Sequence, residues 1–299
     1  MKPFPFIIIN TALRPAIRSL ARPFFFLFAA AGLSGGCHSL WTDYDEALQA
    51  EFRAQPLAPS NVLTEEDIAP LPEPVRRYVR YSGALGKPVP QNVRIVFDAQ
   101  MVRKRGGEPM EAHSEQVNFF NEPVRLFTME ASQYLVPFRA LHLYRAEGAT
   151  FQVRVAGSFN VVDIAGDTLT AAETVTMLND LCFFAPGRLA DPRLSWREVD
   201  SSSCEATFAN GKFRVRAMLH VNAAGELVNF VSDDRYALEN DGTMRNVRWS
   251  TPVSDYREFD GRRIGTKGEA IYHYPDGDFT YGTFRLVSVQ YDVNGGTAR

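Results

Sequence analysis

The sequence predicts a mainly antiparallel β protein of the α+β class: a strongly curved open sheet or half-barrel of about ten strands, with a helix covering or filling its concave side. Three observations predict it. After Pro90, apolar and polar residues alternate with period two in run after run, each run ended by a turn signal. The segment from Asp167 to Arg188 interrupts that rhythm with helical spacing. An antiparallel sheet this long accumulates twist and must curl, which creates a hollow for the helix.

Residues 1–36 carry Lys2, Arg14, Arg18 and Arg22, no acid, and then the apolar run from Pro23 to Leu33. A basic start ahead of a short apolar run is the pattern of an export signal peptide. The run falls short of the roughly 20 apolar residues that span a bilayer, so a permanent membrane helix is not expected. Leu33-Ser34-Gly35-Gly36-Cys37 resembles the bacterial lipobox, with the leucine four rather than three places before the cysteine. The resemblance implies lipidation of Cys37 and a membrane anchor. His38 in place of an aspartate implies sorting to the inner leaflet of the outer membrane. Without residues 1–36 the balance is 28 basic against 35 acidic residues, a formal net of −7, which argues against nucleic acid as a partner.

Residues 37–69 read as a tether with a short helix, since Trp41, Leu48, Phe52 and Leu57 recur loosely before Pro56, Pro59 and Ser60 interrupt. A helix is expected from Pro72 to Gly83: proline suits its first turn and glycine its C-terminal cap. Its Val75, Tyr78 and Val79 face one way and Arg76, Arg77 and Arg80 the other. Strands then follow at Val93–Val102, Glu111–Phe120, Arg125–Glu130, Leu141–Arg145 and Thr150–Val155, with turns at Gly106-Gly107 and Asn121-Glu-Pro123. The central helix is expected over Thr170–Phe184, opened by a Thr170-Ala-Ala-Glu173 capping box and stopped by Pro186-Gly187. Beyond it, Asn210-Gly211 marks a hairpin, and Pro275-Asp-Gly277 turns the last one, Thr266–Tyr274 with Asp278–Val293. No linker composition interrupts residues 70–293, which read as a single β-rich domain with a tail at 294–299.

The ordered motifs Pro72-Glu-Pro-Val-Arg-Arg-Tyr-Val-Arg-Tyr-Ser-Gly83, Ala172-Glu-Thr-Val-Thr-Met-Leu-Asn-Asp-Leu-Cys182, Ser232-Asp-Asp-Arg235, Trp249-Ser-Thr-Pro252 and Gly277-Asp-Phe-Thr-Tyr281 resemble an uncharacterised bacterial domain family. The resemblance covers about residues 70–293. It brings no catalytic residue with it. The pattern of strands with a covering helix is also similar in outline to the lipoprotein-localisation-factor fold, which implies an open curved sheet around an apolar cavity that holds acyl chains.

The chemistry is sparse. Five scattered histidines without His-Glu-x-x-His or Cys-x-x-Cys give no metal site, and no glycine-rich loop or nucleophile elbow suggests a cofactor or an activated serine. Asp180 on the central helix, Asp233 in the Ser-Asp-Asp-Arg run and His142 are the acid/base candidates, with Arg235 or Arg248 as partners for a buried Asp180. Cys182 and Cys204 could form a disulfide or lie as two buried thiols. Phe119, Phe127, Met129, Met177, Met218, Trp249 and Tyr272 supply bulky, adaptable surface for a ligand pocket. The expectation is a lipid-anchored, periplasm-facing lipoprotein that binds a lipid or other hydrophobic ligand without catalysis. The alternatives are an envelope hydrolase or lyase, and an envelope scaffold.

Overall fold

The computed structural model describes residues 39–295 apart from 134, 157 and 158. The expected signal peptide, Cys37 and the residues of the tail after 295 lie outside them. Three helices come first, α1 (Leu40–Ala54), α2 (Glu65–Ile68) and α3 (Glu73–Tyr81). Six strands follow: β1 (Asn92–Val102), β2 (Pro109–Phe119), β3 (Val124–Gln133), β4 (Val136–Arg145), β5 (Gly148–Val155) and β6 (Phe159–Ala165). After the central helix α4 (Asp167–Phe184) and a 3-10 turn come β7 (Leu194–Glu198), β8 (Ser203–Asn210), β9 (Phe213–Val221) and β10 (Leu227–Ser232). The chain ends in β11 (Tyr236–Leu238), β12 (Met244–Asn246), β13 (Arg248–Ser250), β14 (Val253–Phe259), β15 (Arg262–Tyr274) and β16 (Gly277–Tyr291).

Fourteen strands form one antiparallel sheet in the order β6-β5-β4-β3-β2-β1-β16-β15-β13-β10-β9-β8-β7, with β14 attached to β15 and β11–β12 standing apart as a hairpin. This exceeds the ten or so strands legible in the pattern. The additions are short or marginal: β6 leaves Phe159 and Val161 exposed, so its alternation carries no burial contrast. Strands β5 and β9 lie far apart in the sheet, yet both contact α4. The sheet therefore curves round the helix.

Helix α4 is buried on nearly every side, Leu169, Val175, Leu178 and Leu181 lying among the sheet's inner residues Ile95, Phe208, Leu219 and Phe230. A helix wrapped by a sheet needs apolar or satisfied polar groups all round. Its start corrects the expectation of a capping box. The helix begins at Asp167 behind Gly166, whose φ of 111° suits glycine, and no side chain caps it. Thr170 instead donates to the Gly166 carbonyl and accepts from the Ala149 amide, both at 2.9 Å, while Glu173 is drawn inward to buried arginines. A buried guanidinium competes for the carboxylate more strongly than a terminal amide does.

The segment expected as a tether holds more structure than a short helix. Ser39 caps α1, accepting from the Thr42 amide at 3.2 Å. Leu40, Tyr44 and Leu48 of α1 pack on Val117, Phe119, Val124, Leu126 and Leu141 in a second core. These strand residues alternate with the ones facing α4, so α1 covers the outer face of the sheet. That face also carries a cross-strand band of charge: Lys267, Arg285, Asp98, His113, Glu130 and Arg139 stand side by side on six strands, with Asp98 paired to Arg285 and Glu130 to Arg139. Helix α3 matches its expected span, and its arginines are partly tied down: Arg76 pairs with Glu73 at 2.9 Å and Arg80 with Glu65 at 2.8 Å.

Candidate functional site

Between α4 and the inner face lies a cavity of about 670 Å³. Its walls follow from strand alternation. Phe97 and Met101 come from β1, Phe127 and Met129 from β3, Phe151 and Val153 from β5, the first pair four residues apart and the others two, and so each on one face. The far half-sheet adds Trp249, Tyr272, Tyr281 and Phe284, and α4 adds Phe183 and Phe184. The detached β11–β12 hairpin closes one side with Ala237, Leu238 and Met244. Four methionines (Met101, Met110, Met129 and Met244) line this one space, and thioethers on unbranched stems adapt to an irregular apolar guest.

The floor of the cavity is charged. Asp180 Oδ2 accepts from Gln116 Nε2 at 2.8 Å, Asn118 Nδ2 at 3.0 Å and Arg125 Nε at 2.8 Å. Arg125 reaches on to Gln116 Oε1 at 3.0 Å and to Glu173 Oε2 at 3.4 Å. Glu173 Oε1 meets Arg235 Nη2 at 3.3 Å, and the Arg235 guanidinium also lies 5.3 Å from the Trp249 ring centre. The Glu173, Asp180 and Arg125 side chains are each at most 8% exposed. Buried charges need partners of opposite sign, and here two carboxylates face two guanidiniums.

His142 completes the floor, stacked on Phe151 with ring centres 3.8 Å apart and its Nδ1 3.8 Å from Glu173 Oε2. Burial draws its imidazole down to about 4, the two arginines adding to that and Glu173 opposing it. It is therefore neutral at neutral pH. Burial pushes the Glu173 carboxyl up, but the surrounding positive charges outweigh burial and hold it below the usual carboxylate range. At neutral pH those charges are Arg235 and Arg125, since His142 is uncharged.

The cavity gathers some of the residues expected there and leaves others out. Phe127, Met129, Trp249, Tyr272, Asp180 and His142 line it. Phe119 does not: it is buried under α1 on the outer face, T-shaped against Phe52 at 5.2 Å. Met177 is fully buried in the packing around α4, and Met218 is half-buried on the outer side of β9, opposite Val231. Bulk and polarizability are legible in sequence; the face a residue takes depends on strand register. Asp233 is exposed, 3.7 Å from Arg248, well away from the floor. The partner of Asp180 is Arg125 rather than the expected Arg235 or Arg248, and Arg235 serves Glu173. Cys182 and Cys204 are free buried thiols, not a disulfide. Burial pushes Cys204 up to about 12 and Cys182 well above the thiol range.

From sequence alone, Glu173 and Arg125 are not placed on the floor, and Arg235 is given to the other carboxylate. The available signal was the row Ser114, Gln116 and Asn118, three polar residues at alternate positions of β2, all buried. A strand that places amides on its inward face has a charge to satisfy there.

Ser250, His273 and Asp278 deserve separate mention. Ser250 Oγ meets His273 Nε2 at 2.8 Å, and His273 Nδ1 meets Asp278 Oδ1 at 2.7 Å. The order is that of a serine relay. Trp249 and Tyr272 face the cavity, so this trio lies on the outer face. Ser250 is 3% exposed in a regular strand, and the amide of the following residue, Thr251, already donates to the Phe230 carbonyl at 2.9 Å. A nucleophile elbow needs that amide for its oxyanion hole. The trio ties β13, β15 and β16 together instead.

Fold and site define a class: an antiparallel sheet curled round a buried helix, enclosing an apolar cavity with a charge-balanced floor. The chain belongs to a family of unknown function, DUF6544, whose model matches residues 61–284. No curated protein matches it. Among solved structures it is similar to a DUF1329 family protein from Desulfovibrio piger, at 13% identity over 79% of this chain and 96% of that one, with a TM-score of 0.43. It is also similar to a domain named for outer membrane lipoprotein sorting from Vibrio parahaemolyticus (7% identity, 74% and 91% coverage, TM-score 0.40). A LolA superfamily protein from Nitrosomonas europaea gives 8% identity, 72% and 92% coverage and a TM-score of 0.39.

Proposed function

We propose that this protein is a lipid-anchored lipoprotein of the bacterial envelope that holds a lipid or other hydrophobic ligand in the cavity under α4. The observation that carries the reading is the cavity itself: about 670 Å³, walled by aromatic rings and four methionines, within the size range of small-ligand sites. A protein interior is normally packed without such space. The anchor rests on the lipobox-like sequence ending at Cys37.

His142, Glu173 and Asp180 converge in the same space, which favours an enzyme as the second reading. Their bonding argues against it. Three donors hold Asp180 Oδ2 and Glu173 lies between two guanidiniums, so both carboxylates are committed to the ion pairs of the floor. A general base has to reach the proton it abstracts.

Mass spectrometry of gently extracted protein tests the carrier reading: a lipid co-purifies with the wild type and is lost when Met129→Trp fills the cavity. Absence of any bound lipid, together with failure to bind an uncharged apolar dye, overturns it. For the anchor, Cys37→Ser is expected to lose incorporation of labelled palmitate and to leave the membrane fraction. A variant that still pellets with membranes rejects lipidation as the anchor.

A further inference from the structure

We infer that the polar end of the ligand carries no charge: the cavity suits a neutral lipid, such as an acyl ester or long-chain alcohol, rather than a fatty acid, a phospholipid or an amine. This deepens the carrier reading and rests on it.

The floor is already balanced. Two carboxylates, Glu173 and Asp180, meet two guanidiniums, Arg125 and Arg235, and every one of the four is engaged with a partner within 3.4 Å. His142 is stacked on Phe151 and adds no charge at neutral pH. A fatty carboxylate that took the unpartnered Nε of Arg235 would leave three buried carboxylates against two guanidiniums. An ammonium would have to take a carboxylate from its arginine. In a low-dielectric site, separating one member of such a pair is strongly unfavourable.

The charged residues nearer the solvent add no net positive charge. Of the exposed and half-exposed charged residues around the cavity, Arg103 stands with the acids Asp163 and Glu239, while Lys267 and Glu269 take the outer face of β15. Lys267 is 3.4 Å from Asp255, and Glu239 accepts from the Tyr274 hydroxyl at 3.1 Å. Among the described residues no cationic collar forms there to hold a phosphate. What the walls do offer is neutral hydrogen-bonding surface: the Tyr281 hydroxyl, which accepts from Trp249 Nε1 at 3.2 Å, and the imidazole of His142, whose Nδ1 makes no hydrogen bond. Such groups meet a carbonyl or hydroxyl without disturbing the ion pairs.

The experiment displaces Nile red from the purified protein at pH 7.5 with three twelve-carbon competitors: methyl laurate, laurate and dodecylamine. Methyl laurate is expected to compete at a concentration about tenfold or more below the other two. If laurate or dodecylamine competes at an equal or lower concentration, the inference is overturned while the carrier reading stands. If neither dye nor any competitor binds, the carrier reading fails and takes the inference with it. Glu173→Gln leaves the floor with one excess positive charge, so its preference should shift toward laurate by about tenfold. An unchanged preference in folded Glu173→Gln overturns the charge-balance account. Should this variant not fold, the wild-type order of the three competitors decides alone.

Discussion

The sharpest consequence of the balanced floor is that removing one charge should harm the protein more than removing two. Asp180→Ala strands three donors at once: Arg125 Nε, Gln116 Nε2 and Asn118 Nδ2. It also leaves two guanidiniums against Glu173 alone. Breaking a buried ion pair by deleting one partner costs about 3–5 kcal/mol. Arg125→Met creates the opposite imbalance, with two buried carboxylates against Arg235, and should cost a similar amount. In the double variant Arg125→Met/Asp180→Leu the remaining Glu173–Arg235 pair is neutral, and apolar side chains of similar length fill the space. Replacing a whole buried pair this way is often close to neutral, and the Gln116 and Asn118 amides still left without Asp180 add about 1–3 kcal/mol, so the double variant should lie nearer wild type than Asp180→Ala. The assay is urea unfolding followed by circular dichroism. Each single variant should shift the midpoint down by about 1–2 M, and the double variant by less than either. If the double variant is destabilised by the sum of the single effects, the cluster is not the coupled unit described above.

Three further outcomes are expected. His142 titrates at about 4 when folded and at 6.5 when free, so the unfolded chain takes up its proton first as pH falls. The penalty is absent above pH 6.5 and grows below it, reaching about 2 kcal/mol at pH 5; His142→Phe should flatten this part of the stability–pH curve, and an unchanged slope assigns it to other groups. Gly83 has φ of 71°, and a Cβ there would sit 2.7 Å from the Gly261 carbonyl oxygen, so Gly83→Ala should lower Tm by several degrees for a cost of about 2 kcal/mol. Cys182 and Cys204 should resist a thiol reagent in the native protein and react with it together on unfolding, since both are buried and held protonated; rapid labelling of the folded chain at either position would contradict their burial.

Much of this fold was legible in the sequence because its signals are local. Asn210-Gly211 and Pro275-Asp-Gly277 do turn hairpins, with Gly211 at a φ of 57° and Gly277 at 124°. Helices α3 and α4 appear near their expected spans. The failures are all matters of pairing across distance. Phe119 and Phe120 are adjacent and equally apolar, yet one lies under α1 and the other in the inner core. Thr170 and Glu173 carry a capping pattern that Arg125 and Arg235, 48 and 62 residues away, override. Which arginine meets which carboxylate depends on the curl of the sheet, which brings β3 and the segment after β10 to the same helix.

Strand order sets one more property of this molecule. The two halves of the sheet are joined by a single ladder, β1 against β16, which registers Val93 with Tyr291. Everything from β2 to β6 is built of neighbours in sequence and can assemble by short loop closures, but this seam must wait for the last strand. Contacts so distant in sequence slow folding and leave two open β edges exposed until they form. A chain cut short before Gly277 would retain most of its residues and still be two half-sheets, with the α4 cavity lacking the strand that brings its walls together.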